Sequence, residues 1–280
     1  MFLRCGSRTL DLSRPLVMGV LNVTPDSFSD GGKFFSVDRA VERGVEMVEE
    51  GAGLIDVGGE STRPGAEPVP EAEEIARVVP VIERLAARIA VPISIDTSKP
   101  AVMRAAVAAG ATLINDVYAL RISGALEAAA ESGAAICLMH MQGEPRTMQH
   151  EPHYVDVVQE VRAFLKQRLG ACRQAGIASD RVLLDPGIGF GKRLEHNLAL
   201  LAALPDLAVE DRPLLIGVSR KSMFGTLLGR AVGERLAGAL AVATASVLAG
   251  AKVIRTHDVK ETFDAIRVAH ALQQAGYRMR

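Results

Sequence analysis

The chain has 280 residues, 49% of them hydrophobic and 23% charged, with a net charge of −1 at pH 7. This is the composition of a folded globular protein, and its near-neutral balance gives no reason to expect nucleic acid or an anionic membrane surface as a partner. The three cysteines, Cys5, Cys137 and Cys172, have no paired or metal-like spacing and read as free thiols; with no apolar leader pattern at the start, a cytoplasmic location is the expectation.

In chain order, "FLRCGSRTLDL" reads as two short strands around Gly6-Ser7, a hairpin within residues 1–14. Eight apolar runs then recur, each bounded by turn or cap signals. They are "PLVMGVLN" ending at Asn22, "GLIDVGG" containing Asp56, "PISID" ending at Asp96 and "ATLIND" with Asn115 and Asp116. "AAICLMH" ending at His140, "RVLLD" ending at Asp185, "PLLIGVSRK" and "AKVIRTH" complete the set. Helical patterns separate them. "SVDRAVERGVEMVEEGA" starts at a cap residue, Ser36, and stops at Gly51; "PEAEEIARVVPVIERLAARI" lines up Ile75, Val78, Val79, Ile82, Leu85 and Ile89. "KPAVMRAAVAAG" has Pro100 in its first turn and Gly110 at its end. Further helices are expected over 124–132, 154–175, 194–203, 233–249 and 260–275. The uncharged run from Leu236 to Ala251 is shorter than the roughly 20 residues of a spanning helix and reads as a buried helix packed on a sheet.

Strict alternation of strand and helix implies parallel strands with right-handed crossovers. Eight such units predict a (β/α)8 barrel over residues 15–280, in a single domain spanning 1–280, with the hairpin covering the N-terminal mouth of the barrel. The alternative is an open doubly wound sheet, but no Gly-rich turn follows the first strand, where such folds bind dinucleotides.

In a barrel the C-terminal strand ends converge on one face, where active sites lie. Asp96, Asn115, Asp185 and Lys221, from strands three, four, six and seven, suit a flat nitrogen-rich heterocycle, because a carboxylate accepts two parallel hydrogen bonds from a ring N–H and its exocyclic amine. Each of them alone could equally be a structural ion pair or turn residue. Asn22, Arg255 and His257, from strands one and eight, suit a phosphate-type anion, with Asn22 offering an oxygen ligand to Mg2+. Lys221 sits in "SRKS" at a helix start, which favours a hydrogen-bond donor over a Schiff base. His140 is a weak candidate base. "DPGIGFGKR" looks like a phosphate cradle but fits neither nucleotide pattern: Arg193 follows the Gly-Lys where a P-loop has Ser or Thr, and Lys192 stands where the dinucleotide fingerprint has its third Gly.

The segments "MGVLNVTPDSFSDGG", "GAGLIDVGGESTRPGA", "ISIDTSKP", "INDV", "LMHMQG", "LLDPGIGFGK", "GVSRKSM" and "RTHDV" occur in this order from residue 18 to residue 259. Together they make the chain resemble the dihydropteroate synthases, pterin-binding transferases of folate biosynthesis that sulfonamides inhibit. The resemblance implies a homodimeric (β/α)8 barrel that joins p-aminobenzoate to (7,8-dihydropterin-6-yl)methyl diphosphate, releasing diphosphate and 7,8-dihydropteroate. Carried onto these positions, it gives Asp96, Asn115, Asp185, Lys221, Arg255, Asp56 and Met139 to the pterin. Asn22, Arg63, Arg255 and His257 fall to the diphosphate, with Asn22 also binding Mg2+. Thr62, Pro64, Phe28, Phe190 and Ser222 fall to p-aminobenzoate, and Asp96, Lys221, Arg255 and His257 are the expected catalytic set. Loops 23–35 and 58–68 read as lids.

An arylamine is a neutral nucleophile at pH 7 and diphosphate a good leaving group, so an SN1-like displacement is expected, with Asp96 stabilising the methylene cation. The competing readings are a pterin-binding methyltransferase, which would have no use for "TPDSFSDGG", "ESTRPG" and "SRKS", and a non-catalytic pterin-binding module, which would not need the anion group.

Overall fold

In the computed structural model the described residues are 1–23, 32–61, 65 and 67–277, and for residues 32–36 the backbone alone. Two short strands, β1 (Phe2–Cys5) and β2 (Arg8–Asp11), pair antiparallel, with Gly6 in the left-handed region at their turn. Among the described residues eight parallel strands come next: β3 (Leu16–Asn22), β4 (Ala52–Gly58), β5 (Ile93–Asp96), β6 (Leu113–Asp116), β7 (Ala135–Met139), β8 (Val182–Asp185), β9 (Leu215–Gly217) and β10 (Val253–Thr256). Each from β3 to β8 pairs with its neighbour in sequence, and β10 pairs with both β3 and β9. A parallel bridge between Leu184 and Leu214, with the Leu184 N–H donating to the Pro213 carbonyl at 2.9 Å, closes the ring between β8 and β9. The expected barrel is therefore the fold, preceded by the expected hairpin.

The helices are α1 (Gly32–Glu49), α2 (Glu71–Ala86), α3 (Pro100–Ala108), α4 (Ala125–Ser132), α5 (Val157–Gln174), α6 (Leu194–Ala202), α7 (Ser222–Leu228), α8 (Leu236–Leu248) and α9 (Val259–Gln274). Pro100 opens α3, as its fixed φ favours, and the Asp156 carboxylate caps α5 by accepting from the Val158 and Gln159 N–H groups. Helix α1 begins four residues before Ser36; a cap preference is local, and nothing in Lys33-Phe34-Phe35 breaks a helix. The short α7 begins just after Lys221, at the helix start expected from "SRKS". The run around α8 is helical but not buried as expected: Ala239, Ala243, Ser246 and Val247 are buried, while Ala237, Ala241 and Ala245 are exposed. An apolar helix has no polar face to orient it, so sequence alone could not tell which side meets the barrel.

Alternation along the strands sorts side chains into two cores. Outward residues such as Ile55, Ile95, Ile114, Ile136, Leu184, Ile216 and Ile254 pack under the helices. Inward residues Met18, Leu54, Leu113, Ala135, Cys137, Leu183, Leu215 and Val253 form the barrel floor, and Leu3, Cys5 and Leu12 from the hairpin segment plug it from below. Parallel register then sets one polar layer above this floor: Asp96 lies opposite Asn115 and Gly58, Met139 opposite Asp185, and Arg255 opposite Gly217. The three cysteines are buried and unpaired, and among the described residues no helix is long and apolar enough to cross a membrane. Because Leu3 is fully buried at the end of the barrel opposite the polar layer, Leu3→Ala should destabilise the chain by about 2–5 kcal/mol. Urea unfolding checks this, and ligand affinities measured on the folded fraction should be unchanged.

Candidate active site

Above the apolar floor the inward positions turn polar together. Asp56 from β4 is fully buried, and its Oδ2 accepts from Asn115 Nδ2 at 3.1 Å and from Arg255 Nε at 2.6 Å. The other end of the Arg255 guanidinium donates through Nη2 to Asp96 Oδ2, also at 2.6 Å. One arginine from β10 thus bridges carboxylates from β4 and β5. The ring of strand ends divides less cleanly than the residue types alone imply: Arg255, grouped by its chemistry with the anion set and given by the resemblance to both substrates, is anchored between Asp56 and Asp96.

Burial pushes the Asp96 carboxyl above its ordinary range, Asp56 adds to this, and Arg255 pulls it back. Burial also opposes the charge on Arg255, but Asp56 and Asp96 outweigh it and hold the guanidinium above its ordinary value. Asp185, at the end of β8, is likewise raised by burial, against the pull of the Gly187 N–H, which it accepts at 2.7 Å, and of Lys221. Lys221 lies just before α7, and burial lowers it to about 8 while Asp185 works against that shift. Its Nζ rests 4.1 Å from the centroid of the Phe190 ring, a cation–π contact. Met139 is buried with Val117, Met141 and Met148, against Tyr118 and Phe190. Ser222 is the exposed first residue of α7.

The anion side is organised by a residue that the sequence pattern did not single out. Ser219 Oγ lies 3.0 Å from His257 Nδ1, and also accepts from the His257 N–H at 3.3 Å. Arg220, held at a positive φ, pairs with Asp258 at 2.9 Å. Asn22 and His257 line one cleft of about 220 Å3 with Val20, Leu21, Arg43, Met47 and Arg220. Only the "SRK" cluster at a strand end pointed to Ser219. Lys99 pairs with both Glu60 and the buried Glu74, and Arg77 donates to the Gly59 carbonyl at 2.8 Å, so the chain leaving β4 is tied to α2. His140 is not placed as a base: its Nδ1 lies 2.9 Å from Lys192 Nζ, its ring packs edge-on to Phe164, and burial drives it down to about 2. Of the sequence-derived site residues, Phe28, Thr62, Arg63 and Pro64 lie outside the described residues, as does much of loops 23–35 and 58–68.

A closed barrel whose C-terminal mouth carries convergent carboxylates, an amide, a half-buried arginine and a lysine is that of an enzyme binding a small polar heterocycle. The sequence pattern of the pterin binding enzyme family matches residues 18–257. Dihydropteroate synthase of Escherichia coli (strain K12) is 55% identical over 267 residues, covering 95% of each chain. The Yersinia pestis dihydropteroate synthase, solved as a complex with a sulfonamide drug, superposes with a TM-score of 0.93 at 52% identity, covering 98% of this chain and all of that one. The Burkholderia cenocepacia dihydropteroate synthase, solved with 7,8-dihydropteroate, gives 0.90 at 50% identity over 98% of this chain and 97% of that one. The chain belongs to the pterin binding enzyme family, among the dihydropteroate synthases.

Removing the bridge would strand two buried carboxylates. Arg255→Met should therefore cost about 3–5 kcal/mol near neutral pH. The cost should shrink at about pH 5, because the Asp96 carboxyl, which burial raises to about 7, has taken up its proton there. Urea unfolding at the two pH values checks both magnitude and sign.

Proposed function

We propose that this protein is a dihydropteroate synthase, joining p-aminobenzoate to (7,8-dihydropterin-6-yl)methyl diphosphate. The observation that carries the reading is the Asp56–Arg255–Asp96 bridge, with Asn115 on it, set in the barrel mouth beside Asp185 and Lys221. It offers acceptors to the ring N–H and amine edge of a pterin and a cation to the diphosphate. Asp56 Oδ1 is buried with no hydrogen-bond partner among the described residues, an acceptor that a bound heterocycle would satisfy.

In this reading Asp96, Asn115 and Asp185 hold the pterin edge, Lys221 donates to its carbonyl side, and Met139 packs against the ring. Arg255 lies over the pterin and reaches the diphosphate, where Asn22, Arg63 and His257 join it; Ser219 fixes the His257 ring. The C–O bond to the diphosphate breaks first, and the Asp96 carboxylate stabilises the resulting methylene cation. The p-aminobenzoate nitrogen, held by Phe28, Thr62, Pro64, Phe190 and Ser222, then forms the C–N bond and loses a proton. Asn22 Oδ1, at the rim near Gly58 and Asp96, is the kind of oxygen donor that Mg2+ takes alongside waters and phosphate oxygens, so the residues fit this ion. When bound there, Mg2+ supplies neutralisation of the leaving diphosphate.

The exposed apolar side chains Leu227, Leu228 and Val232, next to the half-exposed α8, and Val268 and Leu272 on α9, offer a surface for a homodimer. The methyltransferase reading gains no observation of its own.

Protein, Mg2+ and both substrates should yield dihydropteroate and diphosphate in equal amounts, while no product from folded protein would defeat the proposal. Chelating divalent ions should abolish turnover without unfolding the protein. Because Lys221 sits at about 8, kcat/KM for the pterin substrate should fall as pH rises through that value and the ammonium donor is lost. In Lys221→Arg, whose guanidinium keeps its proton, the alkaline limb should move upward.

A further inference from the structure

The glycine-rich loop after β8 ends in a lysine that the reaction scheme does not use. Lys192 is almost fully buried, and its Nζ lies 2.9 Å from the carbonyl oxygens of Gly187 and Phe190, 3.3 Å from that of His140 and 2.9 Å from His140 Nδ1. Three donors on one ammonium are thus shared among four acceptors, two in the loop and two at the end of β7. Gly187, Gly189 and Gly191 all adopt positive φ, and a Cβ at Gly187 or Gly191 would collide with the carbonyl oxygen of His140 or Gln142. The glycines therefore press the loop onto the segment after β7, and Lys192 fills the gap beneath. Other groups hold the outside of the loop: Gln149 donates to the Gly189 carbonyl at 2.6 Å, Tyr154 to that of Gly191 at 2.8 Å, and Asn197 accepts from the Gly189 N–H at 2.7 Å.

What the inner clamp fixes is Phe190. Lys192 bonds its carbonyl directly, and the Phe190 ring carries the Lys221 ammonium on its face. We propose that Lys192 is a positioning residue: by tying the Gly187 and Phe190 carbonyls to the end of β7, it sets the Phe190 ring as the wall of the p-aminobenzoate site. This rests on the dihydropteroate synthase reading. The lysine acts through the loop backbone and does not touch substrate. A methionine in its place keeps the volume and removes the donors, and the remaining anchors from Gln149, Tyr154 and Asn197 keep the loop attached.

The test is steady-state kinetics on Lys192→Met, Phe190→Ala and the double variant, each shown to be folded by its thermal transition. Lys192→Met should raise the KM for p-aminobenzoate about tenfold, with a much smaller change in the KM for the pterin diphosphate. In the Phe190→Ala background it should add no more than about twofold, since the ring it positions is gone. A p-aminobenzoate KM that is unchanged in Lys192→Met, one that rises in step with the pterin KM, or effects that multiply in the double variant would each overturn the proposal. If Lys192→Met does not fold, Lys192→Leu, which likewise carries no donor, should show the same selective rise, and a flat response there overturns it equally. Wild-type turnover separates the two layers: an inactive wild type defeats the functional reading, whereas an active wild type with a flat variant series defeats the role of Lys192 alone.

Discussion

The polar mouth of this barrel depends on one half-buried cation. Asp56 and Asp96 stand on adjacent strands, brought together by parallel register, and two carboxylates in that position repel each other where water cannot screen them. Arg255, from the far side of β3, places Nε on one and Nη2 on the other at 2.6 Å each. Its planar fork holds the two carboxylates in one fixed geometry, where a lysine would offer only a point charge on a flexible stem. Asn115 then has a fixed acceptor on Asp56, and the polar layer is held by its own hydrogen bonds before any ligand arrives. The bridge also joins the two parts of the mouth, because the cation that steadies Asp56 and Asp96 lies two residues from His257.

The rest of the fold holds that layer in place. The N-terminal hairpin seals the floor with Leu3 and Cys5, so the inward positions below the polar layer are closed off and apolar but for the buried Ser94 of β5. In such surroundings electrostatic interactions are strong, and the displaced titration of Asp96, Asp185 and Lys221 comes from their burial. The outer helices hold the strands in register, and the loop ends are tied by charges of their own: Lys99 with Glu60 and Glu74, and Arg220 with Asp258.

The barrel and its hairpin were legible because alternation, strand-ending polar residues and helix caps agree along the whole chain, and the order of the motifs made the family recognisable. Less legible were features that depend on which side chains meet across the barrel. Nothing in "VIRTH" shows that Arg255 reaches two strands across the mouth to Asp56 and Asp96, since that pairing arises from register and closure. Ser219 was hidden because a serine near a strand end is ordinarily a turn residue. Lys192 stands out in sequence only against nucleotide patterns, which it fails, whereas its place is beneath the loop, bonded to carbonyls that only the folded turn brings together. The half-exposed α8 escaped for the opposite reason, since its composition is apolar on every side.

The central claim is a division of labour in one mouth, with the carboxylates reading the heterocycle and the His257 side reading the anion. Calorimetric titration with a pterin that lacks the diphosphate tests it most directly. The account predicts binding of one pterin per chain by wild type, lost in Asp185→Asn and retained in His257→Ala. Binding untouched by Asp185→Asn, or lost equally in His257→Ala, would contradict it.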